Sequence, residues 1–226
     1  MFIMIYNKKP SVFFEFIEGK HIETPDENQK KEIIKKAAEL QNLTRNYRPL
    51  YKKHRWNYSV ELCRELTGKE AGKIDRADSM EELKWLEHEL VKLKLPKSLP
   101  KGICHCDFHF SNVLFKNNEF NALLDFDDAN YTFLMFDLVN LIDYWAWPYN
   151  KTLDFKEGRK ILREYTDYRA LNCNEKKHFY DLYKLQILIE YVWFFKRGKA
   201  EDFYGKRKID YLNNMGRENF YCEFFA

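Results

Sequence analysis

No run of about 18 apolar residues occurs in the chain, so no segment is expected to span a membrane. Cysteine is scarce and unpatterned. Cys63, Cys104, Cys106, Cys173 and Cys222 are odd in number and include no Cys-x-x-Cys pair, which reads as reduced thiols in a cytoplasmic protein. A leader peptide is also not expected. Met1-Phe2-Ile3-Met4-Ile5 is apolar but is broken by Asn7-Lys8-Lys9-Pro10, without a basic n-region or a small-residue cleavage site. Nor is one sign of charge in excess: 38 Lys and Arg against 35 Asp and Glu leave +3, too little to argue for a nucleic-acid partner. The basic triplet Lys206-Arg207-Lys208 reads as a solvated helix face. No internal repeat or low-complexity segment is present.

What the chain does have is aromatic mass. Its 226 residues include 19 Phe and 15 Tyr, with 45% hydrophobic residues overall. That length supports one large core, or one lobe with a small appendage. Residues 1–6 and 11–17 read as short strands around Asn7-Lys8-Lys9, the second ending at Glu18-Gly19. Thr24-Pro25-Asp26-Glu27 reads as a capping box with Pro at the first helical position. The helix it opens runs to about Leu43 with Ile33, Ile34, Ala37 and Leu40 inward. Further helices are expected over Tyr58–Leu66, stopping at Gly68, and from the Ser79/Glu82 capping box to Pro96. The pattern then changes to a strand at Gly102–His105 and a hairpin of Asn112–Phe115 with Phe120–Phe126. After Tyr131 the chain reads as helical near 133–147, 155–170, 174–195 and 200–220. The fold class is therefore α+β: mainly helical, with a small β-island in the middle.

The chemistry concentrates in Gly102-Ile103-Cys104-His105-Cys106-Asp107-Phe108-His109-Phe110-Ser111-Asn112. This is His-x-Asp-x-x-x-x-Asn, followed 13 residues after the Asn by Asp125-Phe126-Asp127. Phosphoryl transfer asks a protein mainly for positioning and charge neutralisation. One carboxylate orients the attacking hydroxyl, while an amide oxygen and a second carboxylate hold magnesium against the phosphates. A strand, loop and hairpin deliver all three, in the spacing of the kinase catalytic-loop and metal-binding elements. The cluster Cys104, His105, Cys106, Asp107 and His109 reads poorly as a zinc site, because no second ligand pair accompanies it.

The run resembles the aminoglycoside phosphotransferase and choline kinase family of small-molecule kinases, whose loop reads His-Gly-Asp-x-His-x-x-Asn. His105, Asp107, His109 and Asn112 match, as do Asp125-Phe126 and Asp137-Leu138 beyond them. Cys106 stands where the family has a small residue. The likeness in layout covers roughly residues 11–195 and is specific across 102–145. It implies a kinase-like C-lobe using ATP and Mg, with Asp107 as catalytic base and Asn112 and Asp125 as metal ligands. By the same resemblance Asp137 supports the catalytic loop, and His105 is a core histidine that buttresses it. Phe136–Trp147 is also similar to the matching region of homoserine kinases in this group.

Glu15, Phe16 and Ile17 fall where the family has its nucleotide hinge, which divides the chain into an N-lobe remnant (1–19) and a helical catalytic lobe (20–226). About 14 residues precede that hinge, without a Gly-rich loop or a Lys-bearing strand. Two functions follow. The chain is either an ATP-dependent phosphotransferase acting on a hydroxyl of a small molecule (an aminoglycoside, homoserine or a choline-like alcohol), or a weak or inactive lobe. The second would pair with a separate N-lobe chain, or with itself, through an exposed strand edge. For the substrate, His109, Asp127 and Asp128 are candidates, with Glu190 behind them. Tyr144, Trp145, Trp147 and Tyr149 either line a pocket for a cation or belong to the core. Phe13, Phe14 and Phe16 either flank adenine or pack inward, with at least one ring expected in the core.

Overall fold

A computed structural model describes residues 2–50, 57–73, 77–149 and 151–226. Among them, three two-stranded antiparallel sheets are held by eight α-helices in a mostly helical α+β fold. The first sheet is a hairpin of β1 (Phe2–Tyr6) and β2 (Lys9–Phe13). Asn7 and Lys8 are both left-handed, with φ of 49° and 64°, giving a tight turn whose twist matches the strands. That turn sets Tyr6 opposite Lys9, and the ladder ends where Phe2 meets Phe13. The second strand is therefore 9–13 rather than 11–17, and Glu15, Phe16 and Ile17 lie beyond it. Met1 is outside the described residues. The expected inward ring is not found: Phe13, Phe14 and Phe16 are 58%, 77% and 87% exposed.

The first helix, α1 (Glu27–Thr44), is capped by Asp26 rather than by Thr24. The Asp26 carboxylate accepts from the amides of Asn28 and Gln29, and Gln29 returns its side-chain oxygen to the Asp26 amide, all at 2.9 Å. Pro25 thus precedes the cap. Ile33, Ile34 and Ala37 point into the core as expected. Helix α2 (Val60–Ala71) runs through Gly68 instead of stopping there, because its packing on the helical core outweighs the roughly 1 kcal/mol that a mid-helix glycine costs. Helix α3 (Ala77–Val91) already contains Ser79, so Ser79 is not its cap. The long helix expected from 174 is divided at His178 into α6 (Cys173–Lys177) and α7 (Phe179–Lys196).

Helix α7 carries apolar residues on every side, and a helix of that kind is buried on nearly every side. Leu182, Leu185, Ile187 and Leu188 have no exposed surface, each contributing about 1.5–3 kcal/mol of burial. Around α7 pack α2, α3, α4 (Phe136–Ala146) and α8 (Lys206–Phe225). Helix α5 (Phe155–Tyr168) lies against α1 and α4. Helix α8 begins later than expected and bends at Gly216 (φ 76°). No described helix is long and apolar enough to cross a membrane.

Several charged groups inside this bundle are paired. Lys184 of α7 donates to Glu89 at 2.7 Å and to Asn213 at 2.6 Å, and both charged groups are almost wholly buried. Arg217 makes a two-point contact with Asp181 at 2.6 and 3.0 Å. The basic triplet is not a solvated face: Lys206 bonds Glu82, and the buried Lys208 bonds Asp143 at 2.7 Å. A buried pair stabilises little as a whole, but breaking it leaves an uncompensated charge. Lys184→Met is accordingly expected to cost about 3 kcal/mol or more in urea unfolding. Lys184→Met with Glu89→Leu should recover most of that loss.

Candidate active site

The site grows from two small sheets. β3 (Lys101–Cys104) pairs with β6 (Asn130–Phe133), setting Cys104 opposite Asn130. β6 was not foreseen, since this stretch reads as the approach to a helix and four residues are too few for a period to show. β4 (Val113–Lys116) and β5 (Glu119–Leu123) form the expected hairpin, turning at left-handed Asn117 and Asn118. β5 ends at Leu123 rather than Phe126 because Asp125 is itself left-handed, φ 60° and ψ 61°, and leaves the extended path. Lys20 then pairs with Phe115 through two amide–carbonyl bonds of 2.9 Å, laying the segment after Ile17 along this hairpin.

Between β3 and β4 runs the loop His105–His109, clamped from below by Asp137 at the start of α4. The Asp137 carboxylate is fully buried, accepting the amide of His105 at 3.0 Å, that of Cys106 at 2.8 Å and the Gln41 side chain at 3.1 Å. Burial pushes this carboxyl above its usual range, while the two amides pull it down. Cys106 is left-handed (φ 67°) where the resembled motif has Gly, a conformation that costs a side-chain-bearing residue about 1–3 kcal/mol. Its buried thiol, raised well above its usual range by burial, accepts from Asn130 at 3.1 Å. His105 has no exposed surface and bonds the Leu124 carbonyl at 2.8 Å through Nε2, tying the loop to the residue before Asp125. Phe108 and Phe126 meet its ring edge-on.

Above this support stands exposed Asp107. Asn112 Nδ2 donates to its carbonyl at 3.0 Å and to its Oδ2 at 2.8 Å. With the amide nitrogen so engaged, Asn112 Oδ1 is the atom left for a cation. Asp125 adds a carboxylate at the end of the facing hairpin. Among the described residues no cluster of three or more His, Cys, Asp or Glu could hold a metal. One carboxylate with one amide oxygen suits magnesium, which is bound by few protein oxygens and completes its shell with phosphate and water.

Beside Asp107 lies a cavity of about 270 Å³, reaching from the loop to α4 and α7. His109, Asp128, Tyr144 and Glu190 line it, and Asp127 does not. His109 accepts the Ser111 amide at 3.1 Å through Nδ1, packs at a tilt against Tyr144 with ring centroids 3.8 Å apart, and is held below its usual pKa by burial against the opposing pull of Asp107. Burial and the neighbouring Asp107 and Asp125 raise the Asp128 carboxyl. Three residues that sequence reasoning missed also face this space: Tyr58, Asn140 and Gln186. Asn140 donates to the Cys106 carbonyl at 2.9 Å. Of the four aromatic candidates only Tyr144 lines the cavity. Trp147 is core, its indole donating to the Lys151 carbonyl at 3.0 Å, and Tyr149 stands 61% exposed.

Residues 6–172 match the model of the phosphotransferase enzyme family APH, and the chain belongs to that family. The homoserine kinase of Rhizobium meliloti (strain 1021) is 24% identical over 205 residues, covering 90% of this chain and 58% of that protein. The chain thus spans a little over half the length of that curated relative. Among solved structures, choline kinase from Cryptosporidium parvum Iowa II superposes with a TM-score of 0.60 at 14% identity, covering 94% of this chain and 74% of that one. The gentamicin complex of APH(2")-IIa gives 0.57 at 19% identity, with 96% and 75% covered. At these identities the two structures speak for the kinase-like fold.

Asp137→Asn would set an amide donor against two backbone donors. It is expected to destabilise the chain by about 3 kcal/mol in urea. Cys106→Gly exchanges relief of the left-handed strain for loss of a buried thiol, and should stay within about 1 kcal/mol of wild type.

Proposed function

We propose that the chain transfers the γ-phosphoryl group of ATP to a hydroxyl of a small molecule, with Asp107 as the base. The observation that carries this reading is the double bond from Asn112 to the Asp107 carbonyl and Oδ2. It fixes the carboxylate's rotamer and leaves Oδ1 to accept the hydrogen of a hydroxyl lodged in the adjoining cavity. Asp137 and His105 hold the loop backbone beneath it, so little reorganisation is needed as the hydroxyl attacks. When bound, magnesium held by Asn112 Oδ1 and Asp125 would neutralise charge on the phosphates. Glu15, Phe16 and Ile17 are proposed to contact the nucleotide base, being exposed and just ahead of the Lys20–Phe115 pairing. Homoserine kinase as a relative supports a hydroxyl-bearing acceptor. ATP use and five unpaired thiols suit the cytoplasm.

A second reading is favoured by the exposed apolar side chains of the N-terminal hairpin. Ile5 and Phe13 are 67% and 58% exposed, and an uncovered strand edge of that kind pairs with other strands. In this reading the lobe works through another chain, a separate N-lobe or a second copy of itself. Light scattering on wild type and on Ile5→Ser with Phe13→Ser tests the self-pairing form: a dimer in wild type should become a monomer in the variant.

The phosphotransferase reading is tested by magnesium-dependent thermal stabilisation with ATP. Asp125→Asn should weaken that binding at least tenfold. Asp107→Asn should lower phosphorylation by about 10²–10⁴-fold with the melting temperature unchanged. Activity that survives Asp107→Asn would remove Asp107 from the role of base.

A further inference from the structure

A second cavity, of about 250 Å³, is joined to the first through one ion pair: Asp143 lines the cavity beside Asp107, and Lys208, bonded to it at 2.7 Å, lines this one. Its walls come from the end of α4, the segment leading to α5 and the start of α8. That connecting segment is pinned along its length. The Trp147 indole donates to the Lys151 carbonyl at 3.0 Å, the Lys151 amide to the Pro148 carbonyl at 3.1 Å, and the Asp154 amide to the Ala146 carbonyl at 2.8 Å. The wall is therefore formed before any ligand arrives, as in most small-molecule sites.

Four rings line it. Trp147 is the most buried, and Tyr211 meets it edge-on with ring centroids 5.3 Å apart. Tyr149 and Tyr204 form a second edge-on pair at 5.0 Å. Rings carry negative faces and positive edges, so a further flat ring finds partners here in either orientation. Tyr149 is exposed, which leaves the cavity open to solvent at that ring. The charge on this side has one sign. Lys151, Arg207 and Lys208 contribute to the lining, and among the described residues no Asp or Glu does. Lys208 is answered by Asp143, whereas Lys151 is exposed and the Arg207 guanidinium stands 5.9 Å from the centre of the Tyr149 ring. A guanidinium fork beside a ring suits an anionic group carried on an apolar body.

We infer that this second cavity binds a small aromatic anion, its one flat ring among Trp147, Tyr149, Tyr204 and Tyr211 and its carboxylate or phosphate met by Lys151 and Arg207. The two cavities are opposite in sign. Asp107, Asp128 and Glu190 line the first, so an anion is steered away from it and towards the cations of the second. At about 250 Å³ the space lies below the roughly 300–1,000 Å³ of pockets that take drug-sized ligands, which favours one ring over several. The inference asks for no reaction and stands apart from the phosphotransferase reading.

The test is calorimetric binding to the full chain at neutral pH and low salt, without ATP or magnesium. The two anionic probes are benzoate and phenyl phosphate. Their controls are benzamide (the ring without the charge), cyclohexanecarboxylate (the charge without the aromatic ring) and benzylammonium (the opposite charge). At least one of the two aromatic anions should bind about tenfold or more tightly than every control, and the tighter of the two identifies the head group. Lys151→Gln with Arg207→Gln should abolish the preference over benzamide. Tyr149→Leu, which keeps apolar bulk and removes a ring, should narrow the preference over cyclohexanecarboxylate. All three side chains are exposed, so these variants should melt with wild type. Benzamide or cyclohexanecarboxylate binding as tightly as the aromatic anions would overturn the inference. So would an unchanged affinity in the folded double variant, or no binding of either aromatic anion by folded wild type.

Discussion

The site depends on one buried carboxylate. Asp137 sits at the first turn of α4, where a negative charge is favoured by the helix dipole. It gathers the amides of His105 and Cys106 and the Gln41 side chain into a single acceptor. Gln41 in turn accepts the Tyr165 hydroxyl, and Arg169 bonds both Tyr165 and Glu175. A chain of polar contacts therefore runs from α1, α5 and α6 to the backbone two residues before Asp107. The loop holds its shape because any other arrangement would strand a buried charge or two buried amides.

This explains how a side chain can occupy position 106. The left-handed turn there favours glycine, yet Cys106 is held by its amide on Asp137, by Asn140 on its carbonyl and by Asn130 on its thiol, next to the His105 amide that Asp137 also accepts. Local strain is tolerated where the surroundings over-determine the backbone. Asp125 is reached by a similar device: it is a second left-handed residue, which takes the chain off the extended path after β5, while His105 fastens the preceding Leu124 carbonyl to the loop.

The cavity beside Asp107 is formed by the bundle together with the loop. Its far wall comes from α7, a helix buried on nearly every side, so the polar groups it carries there sit in apolar surroundings that amplify their charge. Lys184 and Asp181 of α7, like Lys208 of α8, answer this by pairing. Glu190 and Gln186 pair with each other, and the Gln186 amide oxygen is left buried without a partner.

The sequence by itself determined the family to which the chain belongs. His105, Asp107, Asn112 and Asp125 are close in the chain, on one strand, one loop and one hairpin, so their spacing carried the resemblance to the family. Asp137 was legible for the same reason. Helix existence was also legible, because the apolar stripe of α1 and the continuous apolar run of α7 are local patterns. Boundaries were less so, since Asp26 and Thr24 are both good caps and only the bonds formed choose between them. Tertiary structure alone decided the rest. β6 is too short to carry a period and exists because β3 lies beside it. The outward rings of Phe14 and Phe16, the burial of Lys208, and the meeting of Tyr58, Asn140 and Gln186 across one cavity rest on contacts between segments far apart in sequence. Such contacts leave no local pattern, because what fixes them is the packing of the helices around α7.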